Sequence, residues 1–302
     1  MFKSKNSMSR ALVRRETTAG YLFLLPSLFF FVTFVLYPMF LCIYTSFFDS
    51  NMGKNAVDVF VGLGNYKELF QDKLFLGALK NTVVIAVVAV PTVCAFSLWV
   101  ATAIYDMKPA LTSAFRCIFY LPVVTGSVAV TVVWKWMYNS RYGVFNYLFK
   151  SLGIIDQNIN WLGDARFALW CIILILFTTS VGQPIVLYVS ALGNVDHSLV
   201  EAAQVDGANR RQVFWKIKWS QIMPTTLYIL IITTINSFQC FALIQLLTSG
   251  GPTHSTDTIM YYIYYTAFKL YRYGYGNAMG VVLMIIIAVL SAVQFKLGQQ
   301  SD

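Results

Sequence analysis

The sequence contains few charged residues and no paired cysteines. Of its 302 residues only 12% are charged, whereas 58% are hydrophobic. Soluble domains average about 25% charged residues, so a large part of this chain is expected to lie in lipid. The five cysteines all fall within apolar runs and none belongs to a CxxC pair, which argues against both a disulfide framework and a metal site.

The motifs that identify enzymes and nucleotide-binding sites are also missing. The sequence has no GxxxxGKS or GxxxxGKT phosphate loop, no HExxH zinc motif and no GxSxG nucleophile elbow. Its two histidines, His197 and His254, lie far apart. We therefore expect no catalytic residue, no metal ligand and no cofactor in this chain. Any ATP-driven work would need a partner that binds ATP and Mg.

Six apolar runs are long enough to cross a bilayer, which takes about 20 residues at 1.5 Å each. Five basic residues against one acid precede the first run, so residues 1–20 are expected to stay in the cytoplasm as an arm. The sequence predicts an all-α membrane protein with a six-span domain over residues 21–302 and both termini cytoplasmic. The predicted spans are Tyr21–Phe47, Asn81–Tyr105, Phe115–Met137, Phe167–Ala191, Pro224–Leu247 and Gly276–Phe295.

The interiors of these runs contain no Asp, Glu, Lys, Arg or His, and Arg116 and Lys135 lie near the ends of the third. Proton relays and most ion pathways need ionisable groups within the membrane. The pattern argues against a proton-coupled transporter or a cation channel and favours a neutral solute with an external energy source. The expected surroundings are membrane lipid and protein partners, without nucleic acid. Tyrosines between Tyr261 and Tyr275 are interpreted as an aromatic belt at the outer interface.

The segment between the fourth and fifth runs has helix signals but too many charges for a bilayer. Ser198 and Glu201 form a predicted capping box, and Gly207 is expected to end that helix because glycine accepts a positive φ. A second, basic amphipathic helix is predicted from Asn209, and Pro224 is expected to stop it. The sequence therefore predicts two helices joined by a glycine turn.

This segment resembles the EAA loop of permease subunits in bacterial binding-protein-dependent ABC importers. The resemblance implies a type I ABC importer permease fold in the bacterial cytoplasmic membrane, with cytoplasmic coupling helices in a loop over residues 192–222. It also implies a second homologous permease, two copies of a cytoplasmic ABC ATPase and an extracytoplasmic solute-binding protein. The residues that it assigns to ATPase coupling are Glu201, Ala202, Ala203, Asp206, Gly207, Ala208 and Pro224.

A second stretch, Leu247-Thr-Ser-Gly-Gly-Pro252, resembles the maltose-type first permease, which implies a sugar cargo, an oligosaccharide above all. Polar residues that recur on one face of the fifth run, or surround Pro184 in the fourth, are candidates for the substrate pathway. Phe238 or Phe241 could add an aromatic face for a sugar ring. The candidate pathway residues are Thr178, Gly182, Gln183, Thr233, Asn236, Ser237 and Cys240.

Three alternatives stay open at this point. The Thr, Ser and Asn side chains could simply bond neighbouring helices as packing groups. The cargo could be another small solute such as a glycerol phosphate ester, although a phosphate calls for Arg or Lys at the site. A secondary transporter with an amphipathic cytoplasmic loop would move its solute without ATP.

Overall fold

The computed structural model describes residues 3–50 and 58–299, with side chains for residues 13–50 and 58–298. A short antiparallel pair, β1 (Phe48–Asp49) and β2 (Val59–Phe60), joins Phe48 to Phe60. The helices are α1 Lys3–Phe31, α2 Tyr37–Thr45, α3 Gly64–Gln71, α4 Lys73–Tyr105, α5 Pro109–Val124, α6 Ser127–Met137, α7 Val144–Ser151, α8 Ala168–Ser180, α9 Gly182–Gly193, α10 His197–Val205, α11 Arg210–Val213, α12 Trp219–Phe238, α13 Ala242–Leu247, α14 Ile259–Tyr264 and α15 Tyr273–Gln299, with π-helical turns at Val32–Leu36, Phe214–Lys218 and Tyr265–Lys269.

The predicted all-α membrane architecture is confirmed. Within the described part of the chain, five helical segments are long and apolar enough to cross a membrane: Val13–Thr45, Lys73–Tyr105, Ala168–Gly193, Arg210–Leu247 and Tyr273–Gly298. The sixth candidate is a bent pair of helices, and the count reaches six if that pair makes one span.

The third predicted span is therefore not the single helix expected over residues 115–137. Helices α5 and α6 meet at an angle of 94°. Thr125 and Gly126 between them adopt extended ψ angles of 127° and 140°, which ends one helix and starts the next in a new direction. Helix α5 also begins at Pro109, so Arg116 lies well inside a helix rather than near its start.

Helix α4 lies at the centre and packs against α9 and α12, while α12 packs against α15. Its buried face carries small side chains, among them Ala89, Ser97 and Ala101, which are fully buried. Helices in lipid gain little from apolar burial as such, and small residues let their backbones approach closely enough for dispersion contacts. The small residues on this face of α4 therefore explain why α9 and α12 can both pack closely against it.

Helix α1 crosses the predicted domain boundary at residue 20 without a break. In the segment Val13–Thr45, none of the most apolar stretch is buried by the rest of the chain. Helix α2, which continues the segment, packs against α15. The described residues thus leave the apolar surface of α1 uncovered.

The tyrosine-rich region differs from the predicted aromatic belt. Tyr261, Tyr262 and Tyr275 are 6%, 6% and 3% exposed, so these three pack inside the protein. The hydroxyls of Tyr262 and Tyr275 donate to Asp72 Oδ2 at 2.7 and 2.9 Å. Asp72 also caps α4 by accepting from the backbone N–H groups of the two residues at its start. The belt interpretation is wrong for these tyrosines because they are buried within the protein, and the α4 cap supplies a hydrogen-bond acceptor for two of them.

Burial raises the pKa of the Asp72 carboxyl, but the two tyrosine hydroxyls and the two backbone N–H groups of Leu74 and Phe75 outweigh it, so the pKa falls below its ordinary value. The carboxylate therefore remains ionised at neutral pH and ties α4, α14 and α15 together at this end of the molecule.

Candidate translocation cavity and inter-span loop

The inter-span loop, residues 194–218 between α9 and α12, starts α10 two residues earlier than predicted. Asp196 is the N-cap, and its Oδ1 accepts from the Ser198 backbone N–H at 2.9 Å. The Asp196 backbone N–H donates to Gln221 Oε1 at 3.0 Å. The predicted Ser198–Glu201 capping box is therefore wrong, because a carboxylate precedes Ser198 and a side chain of α12 fills the role expected of Glu201.

Hydrogen bonds from Ser198, first from its side chain and then from its backbone, lower the pKa of Asp196. The cap is thus charged at neutral pH, which suits the positive end of the α10 dipole. Because Gln221 lies on α12, the start of α10 is attached directly to a long apolar helix.

The predicted glycine turn is present and has the geometry of a Schellman motif. Gly207 has a φ of +85°. The Ala208 N–H donates to the Ala203 carbonyl at 2.9 Å, and the Gly207 N–H donates to the Gln204 carbonyl at 3.1 Å. A Cβ at position 207 would meet nothing within 4 Å. The glycine is needed for its backbone conformation and not for space.

The second helix of the loop begins at the predicted residue. Asn209 Oδ1 accepts from the Gln212 N–H at 2.9 Å, and Gln212 Oε1 accepts from the Asn209 N–H at 2.8 Å, which makes a complete capping box. Helix α11 then runs through the π-helical turn Phe214–Lys218 directly into α12.

Pro224 does not stop this helix, contrary to the prediction. Pro224 lies inside α12. Its side chain is exposed, whereas Ile222 and Thr226, two residues before and after it, are buried. A proline inside a helix removes one backbone hydrogen bond, and packing of the neighbouring residues can hold the helix in spite of that loss. Helix α11, the π-helical turn and α12 consequently form one continuous rod.

The outer surface of α10 is the part of the loop that is free to meet another molecule. Glu201 is exposed and makes no hydrogen bond or ion pair within the described residues. Val205 is 88% exposed and Leu199 is 50% exposed. A free carboxylate beside two apolar side chains is the composition expected of a protein-contact surface with a basic and an apolar counterpart.

A polar cavity of about 170 Å³ lies between α5, α8, α9 and α12. It brings together four of the predicted pathway residues, Gln183, Thr233, Asn236 and Ser237. The side-chain amides of Gln183 and Asn236 are exposed and have no hydrogen-bond partner among the described residues. The remaining lining residues are Val123, Leu176, Thr179, Ser180, Pro184, Leu187, Tyr228, Ile229 and Ile232.

Three predicted pathway residues do not line this cavity. Thr178 donates to the Ile175 carbonyl at 2.8 Å within its own helix. Cys240 is buried beyond the end of α12, where its carbonyl accepts from Thr258 Oγ1 at 2.7 Å. Gly182 lies against α5, so that an added Cβ would come within steric conflict of a backbone carbonyl there. Gly182 and Cys240 thus contact other segments of the chain, and Thr178 bonds to its own helix.

The aromatic face also comes from a residue that the sequence interpretation missed. Phe238 is 3% exposed in the core, and Phe241 packs on the rings of Tyr261 and Tyr264. Tyr228 lines the cavity instead and is 50% exposed. It precedes Asn236 by eight residues, so extending the polar stripe of the fifth span by two turns would have found it.

The sequence interpretation also missed Thr179 and Ser180 as residues that line the cavity. Pro184 could have pointed to Ser180. A proline at position 184 has no N–H to donate to the Ser180 carbonyl, which lies four residues earlier. The helix is interrupted at Val181, whose carbonyl accepts from Ser97 Oγ at 3.2 Å. The carbonyl of Ser180, a residue that lines the cavity, is therefore left without the N–H donor that position 184 would supply in a regular helix.

The cavity formed by this chain is smaller than a complete site for a small ligand. Sites for small ligands have volumes of about 300–1,000 Å³, and 170 Å³ lies below that range. Gln183, Tyr228 and Asn236 are all exposed on the same open side. A second surface is needed to enclose a ligand there.

The sequence matches known transport proteins over most of its length. Residues 71–299 match the family described as "Binding-protein-dependent transport system inner membrane component". The lactose transport system permease protein LacF of Rhizobium radiobacter is 32% identical over 288 residues, which cover 94% of this chain and 95% of LacF. The multiple sugar-binding transport system permease protein MsmF of Streptococcus mutans is 32% identical over 283 residues, covering 94% of this chain and 96% of MsmF.

The fold matches a solved transporter. A chain in the crystal structure of a bacterial alginate ABC transporter, in complex with a periplasmic protein that holds an alginate pentasaccharide, aligns with a TM-score of 0.80. The alignment covers 93% of each chain at 24% sequence identity.

Proposed function

Because the chain belongs to the family of inner membrane components of binding-protein-dependent transport systems, we propose that it is one half of the membrane channel of an ATP-driven saccharide importer. Members of this family are ABC transporter permease subunits and not enzymes. The observation that carries the proposal is the polar cavity, in which the side-chain amides of Gln183 and Asn236 have no hydrogen-bond partner among the described residues.

The chemistry of this cavity suits a sugar. A saccharide needs several uncharged donors and acceptors together with an aromatic or apolar face. Gln183 and Asn236 supply free amides, and Tyr228 supplies a ring. The relatives named for lactose and multiple sugars support the same cargo class.

The inter-span loop is proposed to receive the force of ATP hydrolysis. Two copies of a cytoplasmic ABC ATPase, which bind the ATP and Mg, would contact α10 through Glu201, Val205 and Leu199. Closure of the ATPase pair would move α10 and α11 together because the Schellman motif fixes their angle. The continuous rod of α11 and α12 would carry that movement to Asn236 and Ser237, which gives alternating access to the cavity.

A second, homologous permease would complete the site. The open side of the 170 Å³ cavity and the uncovered surface of α1 both need a neighbour in the membrane. An extracytoplasmic solute-binding protein would deliver the saccharide to the opposite end of the helices. The basic residues within the first 20 positions, ahead of the first apolar run, support a multi-pass chain in a bacterial cytoplasmic membrane with both termini inside.

The test is uptake by proteoliposomes that contain this chain, its neighbouring permease and a candidate ATPase. Binding protein loaded with one radiolabelled oligosaccharide is supplied outside, and ATP or a non-hydrolysable analogue is supplied inside. We expect uptake when ATP is supplied and no uptake when the analogue replaces it. Uptake that continues with the analogue and follows a proton or sodium gradient would contradict the proposal and restore the secondary-transporter alternative.

A further inference from the structure

Arg116 is a half-buried cation on α5 that the proposed transport mechanism leaves unexplained. It lies seven residues after the start of α5 at Pro109, which places it about 10 Å along the helix axis. The start of α5 lies near the inter-span loop, because Tyr105 and Asp106 just before it line one cavity with His197 and Arg210. Arg116 is therefore about two turns into α5, counted from the end of the helix that lies near the loop.

The guanidinium has no partner within the described part of the chain. Its Nε atom is buried and makes no hydrogen bond, and no carboxylate lies within salt-bridge distance. Lys218 near the same end of the bundle is different, since its ammonium lies 5.0 Å from the centre of the Tyr105 ring. An unpaired arginine in a membrane segment is costly and marks a functional position with a partner still to be identified.

The surroundings of Arg116 connect it with the polar cavity. A second cavity, of about 460 Å³, is lined by Arg116, Cys117, Tyr120, Gln183, Val186 and Leu187. Gln183 and Leu187 also line the polar cavity, so the two cavities share one wall. The only charged side chain that lines either of them is Arg116.

The packing of α5 on α9 holds this arrangement. A Cβ on Gly182 would lie 2.3 Å from the Phe119 carbonyl oxygen, so the two backbones touch where no other residue would fit. Phe119 is three residues from Arg116, and Gly182 is next to Gln183. The close approach of α5 and α9 therefore holds Arg116 beside the wall that the two cavities share. An acidic side chain from another subunit that paired permanently with Arg116 would have to fill the second cavity.

We propose that Arg116 binds an oxyanion on the transported saccharide as it leaves the polar cavity, and that the natural cargo is an acidic sugar with a carboxylate, sulfate or phosphate ester group. Charge-assisted hydrogen bonds from arginine to such oxyanions are the strong, geometrically specific ones. The inference rests on the proposed saccharide import and adds the charge of the cargo to it. Gln183 would contact the hydroxyls while Arg116 contacts the acid.

The test compares two cargoes in the same proteoliposomes. The probes are a neutral trisaccharide and a tri-uronic acid of the same length, each supplied on saturating binding protein, with a phosphorylated disaccharide as a third arm. Wild type is expected to import an acidic probe faster than the neutral one. Arg116→Gln should lower acidic uptake about tenfold or more, the loss expected for one hydrogen bond to a charged group, and neutral uptake by less than twofold. Arg116→Lys, which keeps the charge but not the planar guanidinium, should retain more acidic uptake than Arg116→Gln.

Lys135→Gln is the matched control, because it removes one positive charge from the other half of the same bent pair, where the side chain is exposed and lines neither cavity. It should leave both rates unchanged. The ratio of acidic to neutral uptake, measured in one preparation, does not depend on how much complex assembles, so it remains informative if Arg116→Gln lowers the yield.

Several results would overturn the inference. An unchanged ratio in Arg116→Gln, whether both rates fall or neither does, would mean that Arg116 serves a lipid phosphate or the subunit interface and not the cargo. A wild-type complex that imports only the neutral probe would remove the acidic cargo while the proposed importer stands. A wild-type complex that imports no probe with ATP would instead overturn the proposed function itself.

Discussion

The inter-span loop and the polar cavity are built in opposite ways. In the loop, the hydrogen bonds that set the shape of each helix end join residues close in sequence, as between Ala203 and Ala208 or between Asn209 and Gln212. In the cavity, Val123, Gln183 and Asn236 come from three helices far apart in the chain. The polar groups at these helix ends have partners within the loop, whereas the side-chain amides of Gln183 and Asn236 have no partner among the described residues.

The difference separates two kinds of work. A loop with a fixed backbone geometry can transmit a displacement without absorbing it, and its exposed α10 surface meets a protein. A cavity with free amides on an open side can meet a ligand that another subunit helps to enclose. If this division is right, substitutions in the two regions should fail in different measurements.

The largest effect is expected from Gly207→Val. A β-branched side chain at a φ of +85° costs about 1–2 kcal/mol and opposes the Schellman bonds, so the angle between α10 and α11 would change. Uptake should be abolished while the amount of protein in the membrane stays near normal, because nothing packs on position 207. Gly207→Asn is the control, since asparagine tolerates this conformation, and it should keep most activity. Equal loss in both variants would refute the role of backbone geometry.

Glu201→Lys should also abolish ATP-driven uptake, by placing like charges together at the ATPase surface. Glu201 has no partner within the described chain, so substitution should change stability by less than about 0.5 kcal/mol. Glu201→Gln, which keeps the size and removes the charge, should reduce co-purification of the ATPase only in part. Normal ATPase recovery with Glu201→Lys would show that this carboxylate is not part of the contact.

A smaller and different effect is expected in the cavity. Gln183→Leu combined with Asn236→Leu removes two uncharged hydrogen-bonding groups, which contribute about 0.5–1.5 kcal/mol each, so apparent affinity for the transported sugar should fall about fivefold to a hundredfold. ATPase recovery should not change. Thr178→Val is the control outside the cavity and should leave the affinity as it was. A loss of ATPase association in the double variant would break the proposed division.

The smallest effect on transport is expected from Asp72→Ala, far from both regions. It removes a helix cap and the acceptor of two tyrosine hydroxyls, so we expect a loss of about 1–3 kcal/mol in the free energy of unfolding, read as a lower thermal midpoint in detergent. Tyr262→Phe should give part of that loss.

The Asp72 contribution should also depend on pH in a defined direction. The pKa of this carboxyl in the folded chain lies below its ordinary value of 3.8. The folded chain therefore binds that proton less tightly than the unfolded chain, so the stabilisation is present above pH 3.8 and is lost as the pH falls through the lower folded pKa. The difference in free energy of unfolding between wild type and Asp72→Ala should therefore shrink on acidification. A difference that grows would contradict this assignment.

The local features of the loop could be predicted from sequence because each depends on neighbours. The turn at Gly207 and the start of the second helix at Asn209 were both predicted from residues within a few positions. The start of α10 was missed because Gln221, which bonds to Asp196, comes from α12. Pro224 was misjudged because packing of Ile222 and Thr226 on one side keeps the helix intact.

The cavity could be predicted only in part for the opposite reason. The polar stripe of the fifth span could be seen in the sequence. Cys240 does not share that helix face, because α12 ends at Phe238. Gly182 looked like a ligand position and is instead a contact between backbones. Arg116 looked like the end of a span because the predicted helix began at Phe115, whereas α5 begins at Pro109. Helix boundaries and interhelical contacts are tertiary facts that periodicity does not contain.

One measurement tests the division between coupling and cargo most directly. ATP hydrolysis and sugar uptake are recorded in the same proteoliposomes, with loaded binding protein, for Glu201→Lys and for Gln183→Leu with Asn236→Leu. The account predicts that the loop variant loses stimulated ATP hydrolysis and uptake together, while the cavity variant keeps stimulated hydrolysis and loses uptake at low sugar concentration. The same pattern of loss in both variants would contradict it.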